Sequence, residues 1–305
     1  MRRLSLLIII LLTIQIGCSR QRQWIETTQQ DFADGTFDGG GNLYASWKGD
    51  VQVVNSWDLN NDGWMDLVFT NWGNDESYNI ESHIYWGSPD GFSIKNRTGL
   101  PTYGSIAHAC ADLNNDSYMD LVFTSWLKEG LNMDSKKRQF DSHAYIYWGD
   151  KAGYDAQRYA TLPTAGATGA TVADLDNDGY LDLIIASGYY EGEYKPGITK
   201  QISKCFIYWG GKDGFSEKNR LELKEFSHFG SLLITSADLN KDGFLDLIAG
   251  NLEENSYSYI VYGSKEGFKF DEKIVLRTSV VRSIKPVDLN GDGYLDLVFA
   301  QRSPI

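Results

Sequence analysis

The chain has 305 residues, 42% of them hydrophobic and 13% aromatic, with 41 Asp and Glu against 28 Lys and Arg and a formal net charge of −13. That apolar content is enough to bury the core of one large β domain or two smaller ones. The acidity argues against nucleic-acid binding, which relies on Lys and Arg to meet phosphates.

Residues 1–17 read as a secretion signal. Arg2 and Arg3 form a basic start, and Leu4 to Ile16 form an apolar core. That core is shorter than the roughly 20 residues needed to span a bilayer. The segment ends Gln15-Ile16-Gly17-Cys18, which is similar to a bacterial lipobox, although a lipobox prefers Leu where Gln15 stands. The resemblance implies that Cys18 becomes a lipidated first residue; ordinary cleavage leaving a free Cys18 is the alternative. The expected location is across the inner membrane, anchored by lipid in the bacterial cell envelope or on the cell surface. Membrane contact would be made through that anchor only. Residues 18–44 form an N-terminal segment with room for closing strands, and residues 45–305 form the repeat domain.

That domain repeats a nine-residue acidic loop five times: DLNNDGWMD from Asp58, DLNNDSYMD from Asp112, DLDNDGYLD from Asp174, DLNKDGFLD from Asp238 and DLNGDGYLD from Asp288. Calcium takes six to eight oxygen ligands on a tightly curved backbone. Each loop offers side-chain oxygens at positions 1, 3, 5 and 9 and a backbone carbonyl at position 7. The predicted ligands are Asp58, Asn60, Asp62, Trp64 and Asp66 in the first loop, and Asp112, Asn114, Asp116, Tyr118 and Asp120 in the second. The third offers Asp174, Asp176, Asp178, Tyr180 and Asp182; the fourth offers Asp238, Asn240, Asp242, Phe244 and Asp246. The fifth offers Asp288, Asn290, Asp292, Tyr294 and Asp296. In all, up to five Ca²⁺ are expected, and their charge would nearly neutralise the chain.

Position 6 is glycine in four loops, whereas the second has Ser117, where strain is expected because glycine alone reaches a left-handed turn without cost. An EF-hand would place a bidentate Glu at position 12, but those positions hold Phe69, Phe123, Ile185, Ala249 and Phe299. Magnesium and zinc suit the donor set less well. A solvated turn without metal is the alternative at any single copy.

The loops start at 58, 112, 174, 238 and 288, and a second motif lies between them: IYWGSPDGF from Ile84, IYWGDKAGY from Ile146, IYWGGKDGF from Ile207 and IVYGSKEGF from Ile260. Each unit therefore reads strand, acidic loop, strand, variable loop, strand, glycine turn, strand. In the first unit the strands are predicted near 51–57, 66–72, 83–87 and 92–98. Four short strands per unit at this period give an all-β fold, a β-propeller of four-stranded antiparallel blades with the calcium loops between first and second strands.

The motifs resemble the FG-GAP/VCBS repeats of integrin α-chain propellers and of many bacterial secreted proteins, over roughly residues 45–300. The name-giving pair occurs as Phe229-Gly230 and loosely as Tyr103-Gly104. The resemblance implies calcium and a propeller of seven blades, whereas five acidic loops imply about five blade starts here. Either the ring closes with five, or the chain is an open arc or a piece truncated from a longer protein; the latter is favoured, since unpaired strand edges are a liability.

Because strands alternate in direction, acidic loops and glycine turns share one face, and the irregular connections at 73–82, 127–142 and 188–203 share the other. Repeated residues serve the fold and unrepeated ones are free for recognition. Trp86, Trp148 and Trp209 repeat in register and are read as packing; Trp72, Trp126, Tyr189, Tyr190 and Tyr194 are the ligand-face candidates.

No catalytic residue is assigned. His108 occupies a first-strand position held elsewhere by Val54, Ala170 and Ile234, and is read as a satisfied core histidine. His83 and His143 lie at or just before third strands, His228 precedes Phe229-Gly230, and Lys136, Lys137 and Arg138 read as a solvated loop tip. Cys110 and Cys205 are read as buried thiols. The expected function is a non-catalytic, calcium-stabilised propeller of the cell envelope that binds a polysaccharide or an extracellular protein through the face opposite the calcium loops. Alternatives are a polysaccharide lyase-like enzyme, or a structural and assembly module of a larger chain.

Overall fold

The apolar run after each acidic loop folds back on the run before it, so every loop becomes the turn of an antiparallel pair. The computed structural model describes residues 51–74, 76–130, 140–188, 204–226, 232–252 and 256–301. The first sheet contains β1 (Val51–Trp57), β2 (Asp66–Asn71), β3 (Asn79–Tyr85) and β4 (Arg97–Tyr103), in that order. The second contains β5 (Ser105–Ala111), β6 (Asp120–Ser125), β7 (Asp141–Asp150) and β8 (Gly153–Ala165). The third contains β9 (Ala167–Ala173), β10 (Asp182–Ser187), β11 (Phe206–Tyr208) and β12 (Arg220–Glu222). The fourth contains β13 (Leu232–Ala237), β14 (Asp246–Asn251), β15 (Ser256–Val261) and β16 (Ile274–Thr278). The fifth has β17 (Val281–Val287) and β18 (Asp296–Gln301) among the described residues.

All pairings are antiparallel, and consecutive sheets pack through their first strands, β1 on β5, β5 on β9, β9 on β13 and β13 on β17. This is the all-β propeller-blade architecture expected from the repeat.

The predicted third and fourth strands of the first unit need correction. They lie at 79–85 and 97–103 rather than 83–87 and 92–98. The apolar peak IYW marks the end of the third strand, whereas its start, Asn79-Ile80-Glu81, is half polar and carries a weaker signal. The glycine segment 87–96 is a turn, not a strand.

The cores lie between sheets. Side chains alternate along a strand, so one set faces the preceding sheet and the other faces the following one. Val68, Ile84 and Leu100 of the first sheet meet Leu121, Phe123 and Tyr147 of the second. Val122, Ile146 and Leu162 of the second meet Leu183, Ile185 and Tyr208 of the third, and the pattern continues to β17 and β18. Polar ties cross the same seams. The Tyr147 hydroxyl donates to the Pro101 carbonyl, and the Tyr208 hydroxyl to the Pro163 carbonyl.

Single residues connect the first three sheets. Gly104 (φ +50°) joins β4 to β5 and Gly166 (φ +59°) joins β8 to β9. Their N–H groups donate to the carbonyls of Tyr78 and Phe140. At the fourth corner the same place is held by Val280, with φ +44°, a rare backbone state for a β-branched residue. In four of the five first strands an extra residue bulges at the second position of the strand: Gln52, Ile106, Thr168 and Arg282.

Residues 1–50 lie outside the described residues, and with them the signal segment, Cys18 and the 18–44 segment. Among the described residues no helix is long and apolar enough to cross a membrane.

Candidate metal loops and the opposite face

Every acidic loop is organised by its own carboxylates. In the first, Asp58 accepts the N–H of Asp62 at 3.0 Å and of Gly63 at 2.9 Å. Asn60 accepts from the Asp62 N–H and Asp62 from the Trp64 N–H. The same bonds recur in the second and fourth loops, and in the third with Asp176 in place of asparagine. The backbone reaches this curl through two left-handed residues. Position 6 is Gly63, Gly179, Gly243 or Gly293, and Ser117 takes φ +73° there as expected. Position 4 is the second left-handed site, held by Asn61, Asn115, Asn177, Lys241 and Gly291. The sequence reading missed it, although Asn and Gly, which tolerate this state best, fill four of the five places.

The ninth-position aspartate does more than close the loop. Asp66 is fully buried; its Oδ2 accepts the Leu59 N–H at 2.8 Å, and its Oδ1 accepts the Gly87 N–H at 2.8 Å. Asp120 bonds Leu113 and Gly149, Asp182 bonds Leu175 and Gly210, and Asp246 bonds Leu239 and Gly263 in the same way. Each therefore ties the acidic loop to the glycine that ends the third-strand motif, which puts both connections at one end of the sheet.

Burial pushes the Asp120 and Asp182 carboxyls up to about 6, against two backbone N–H bonds that pull them down, with the loop's other aspartates adding to the rise. Asp66 and Asp246 are raised for the same reasons. Asp176 is raised by burial and then by the charge of Asp178. The exposed Asp288 is lowered, chiefly by the Gly293 N–H. Negative charge is thus concentrated where a cation would relieve it. In the third loop, ligand oxygens of Asp174, Asp176 and Asp182 lie within 4.8 Å of one another. An all-oxygen set of this spacing fits a hard divalent cation. Adjacent loops also touch: Asn177 donates to the Gly243 carbonyl at 2.9 Å, and the Lys241 ammonium sits 3.8 Å from the Tyr294 ring centre.

At the other end, the structure brings Trp72 and Trp126 together with ring centres 5.2 Å apart. Tyr78 packs edge-on to Trp72, and Phe140 lies against Trp126. Both tryptophans are half-buried and pack on the core between the first two sheets. Tyr189, Tyr190 and Tyr194 lie outside the described residues, as do Lys136, Lys137, Arg138, His228 and the Phe229-Gly230 pair. Trp86, Trp148 and Trp209 pack against the seams, and Trp86 donates to Thr98 at 2.9 Å.

His108 takes the register of Val54, Ala170 and Ile234, is buried, and pairs with the Thr70 hydroxyl. His83 is a buried strand residue, and burial together with Arg97 pushes it down to about 4; burial alone does the same to His108. His143 is half-buried within β7. Cys110 and Cys205 are free thiols, the first half-buried and the second buried. The tyrosine ties between sheets were not foreseen, although the sequence carries their mark: Leu-Pro-Thr at 100–102 and again at 162–164.

A family profile described as an FG-GAP-like repeat matches residues 58–123, 138–185 and 238–299. The chain is similar to Integrin alpha-V of Gallus gallus, 24% identical over 210 residues that cover 65% of this chain and 19% of that protein. It is similar to Integrin alpha-8 of Homo sapiens at 25% over 207 residues, covering 64% of this chain and 19% of that protein. Phosphatidylinositol-glycan-specific phospholipase D of Rattus norvegicus is 30% identical over 152 residues, 42% of this chain and 17% of that protein. The chain thus spans about a fifth of the length of the relatives it matches.

Proposed function

The chain belongs to the FG-GAP-like repeat family, and from that premise we propose that it is a calcium-stabilised, non-catalytic binding propeller. It acts outside the cytoplasm, held at the bacterial envelope through Cys18, and takes a polysaccharide or an extracellular protein on the face opposite the acidic loops. The observation that carries the reading is the division of labour between the two ends. Charge, glycines and aspartates repeat from sheet to sheet at one end, with the carboxylates of Asp174, Asp176 and Asp182 converging. Aromatics present in two of the five units only, Trp72 and Trp126, gather at the other.

Calcium would be held by side-chain oxygens at positions 1, 3, 5 and 9 of each loop and by the position-7 carbonyl. It would supply positive charge to a cluster of buried or crowded carboxylates, and the chain itself supplies the curl through the Asp58-type bonds. The integrin names among the relatives favour a protein ligand. Trp72 and Trp126 supply rings that stack on sugars or anchor a protein, and Tyr189, Tyr190 and Tyr194 remain candidates from the sequence alone.

A glycan array and an extracellular-protein panel, each probed with calcium and with chelator, test the reading. Retention of a ligand by the intact protein, lost in a Trp72→Ala, Trp126→Ala variant that is still folded by circular dichroism at the assay temperature, is the expected result. Turnover of a polysaccharide would replace it with the enzyme alternative. A second reading, an assembly module, draws on the exposed face of the fifth sheet.

A further inference from the structure

The acidic loops meet their neighbours through one position of the repeat. Position 4 is Asn61, Asn115, Asn177, Lys241 or Gly291. In the third and fourth loops this residue has a left-handed backbone, with φ +60° in both. Its side chain leaves its own loop and reaches the turn of the next. Asn177 gives its amide to the carbonyl of Gly243, position 6 of the fourth loop, at 2.9 Å. Lys241 arrives at the same place one loop further on. Its ammonium lies 3.8 Å from the centre of the Tyr294 ring, and a Cβ on Gly293 would stand 3.2 Å from it. Gly293 and Tyr294 are positions 6 and 7 of the fifth loop.

The two contacts differ in charge. Asn177 brings a neutral donor, whereas Lys241 is the only Lys or Arg in the five acidic loops. Its own loop does not take up that charge, since Lys241 makes no ion pair among the described residues. The ring face of Tyr294 holds the ammonium instead, as the quadrupole of an aromatic ring attracts a cation. The groups beside it are those that shape the fifth loop. The Gly293 N–H donates to Asp288 at 2.8 Å and the Tyr294 N–H to Asp292 at 2.8 Å. Asp288, Asp292 and the Tyr294 carbonyl are three of the ligands expected there.

We propose that Lys241 sets the calcium affinity of the fifth loop. Its ammonium, seated on Tyr294, opposes a second cation at the neighbouring carboxylates, so the loop fills only at a higher calcium concentration than it would with a neutral residue at position 241. The inference rests on the calcium reading given above. Its consequence is a graded response: the third loop, with Asp174, Asp176, Asp178 and Asp182, fills early and the fifth fills late. Lys241 and Tyr294 are both exposed. The repulsion therefore acts through water, is worth about threefold in affinity, and weakens as salt screens it.

The test uses the full chain. In every loop the position-6 N–H donates to the position-1 carboxylate, so its amide reports on that loop. The amide resonances of Gly179, Gly243 and Gly293 are followed by NMR through a calcium chloride titration at low salt, in the wild type, Lys241→Gln and Lys241→Arg. Glutamine keeps the reach without the charge, and arginine keeps the charge. The Gly293 midpoint is expected to fall about threefold in Lys241→Gln and to stay in place in Lys241→Arg. The gap should close in about 1 M potassium chloride, where the screening length is about 3 Å. The Gly179 midpoint should not move in either variant. An unchanged Gly293 midpoint in Lys241→Gln would overturn the proposal. So would an equal shift in Lys241→Arg, a gap that survives high salt, or a change confined to Gly243 in the residue's own loop. If no glycine amide moves with calcium in any form of the protein, the calcium reading itself falls and takes this inference with it.

Discussion

Two kinds of glycine in this chain should answer very differently to the addition of one methyl group. Gly149 ends the third-strand motif of the second sheet, where a Cβ would sit 2.1 Å from the Met119 carbonyl oxygen. Its N–H also donates to the buried Asp120 at 2.8 Å. Gly149→Ala must push two backbones apart, at about 1–3 kcal/mol for overpacking. Stretching a bond to a charged, buried acceptor costs about 1.5–3 kcal/mol more. The sum is about 2.5–6 kcal/mol.

Gly63 has a left-handed backbone (φ +87°) and no atom within 4 Å of its would-be Cβ. Gly63→Ala therefore costs only the conformational penalty, about 1–2 kcal/mol. Ser117 supplies the converse, since Ser117→Gly relieves φ +73° and should gain up to about 1 kcal/mol, less what the freer unfolded chain takes back. Urea unfolding followed by circular dichroism, with calcium held constant, ranks the three. A Gly149→Ala variant no less stable than Gly63→Ala would refute the assignment of Gly149 as a clamp between loop and turn.

Chelation should lower the melting temperature and calcium should restore it, by about 2.7 kcal/mol per site at a hundredfold excess over Kd. Isothermal titration with Asp176→Asn should weaken the third site toward the level of the four loops that carry asparagine at position 3, without removing it. His83 and His108 have folded pKa values near 4 against an unfolded 6.5. Their contribution is therefore complete above pH 6.5 and is lost as pH falls through 4, at up to about 3 kcal/mol each. Urea midpoints measured between pH 7 and 4 should fall, and His108→Val should flatten that slope by about one proton. Tyr147→Phe removes the hydroxyl that reaches Pro101 and should cost about 1 kcal/mol in the same unfolding assay, with the secondary structure unchanged.

Local signals were the readable ones. The acidic loops set β1 and β2 to within a residue, because aspartate, asparagine and glycine at fixed spacing encode a turn whose bonds are nearly all internal to nine residues. The placement of His108 followed from counting along the same repeat. The start of β3 was lost because Asn79 and Glu81 are exposed there, so no alternation marks the strand. The second role of Asp66, its bond to Gly87, joins residues 21 apart and leaves no trace in either motif alone. The partnership of Trp72 with Trp126 crosses a seam between sheets, and such distances are fixed by tertiary packing.

The single-residue corners at Gly104 and Gly166 have a consequence for how this architecture changes over time. A joint of one residue leaves no slack, so the angle between neighbouring sheets is set by one pair of torsions and two short backbone bonds. An insertion there would swing every later sheet out of line. The connections between second and third strands open from the same end, yet they begin and finish within a single sheet, so a change in their length stays local. Variation is thereby channelled into one class of loop, and a foreign segment grafted between Glu129 and Phe140, which leaves the Phe140 carbonyl on Gly166, should alter what the protein touches without altering its curvature.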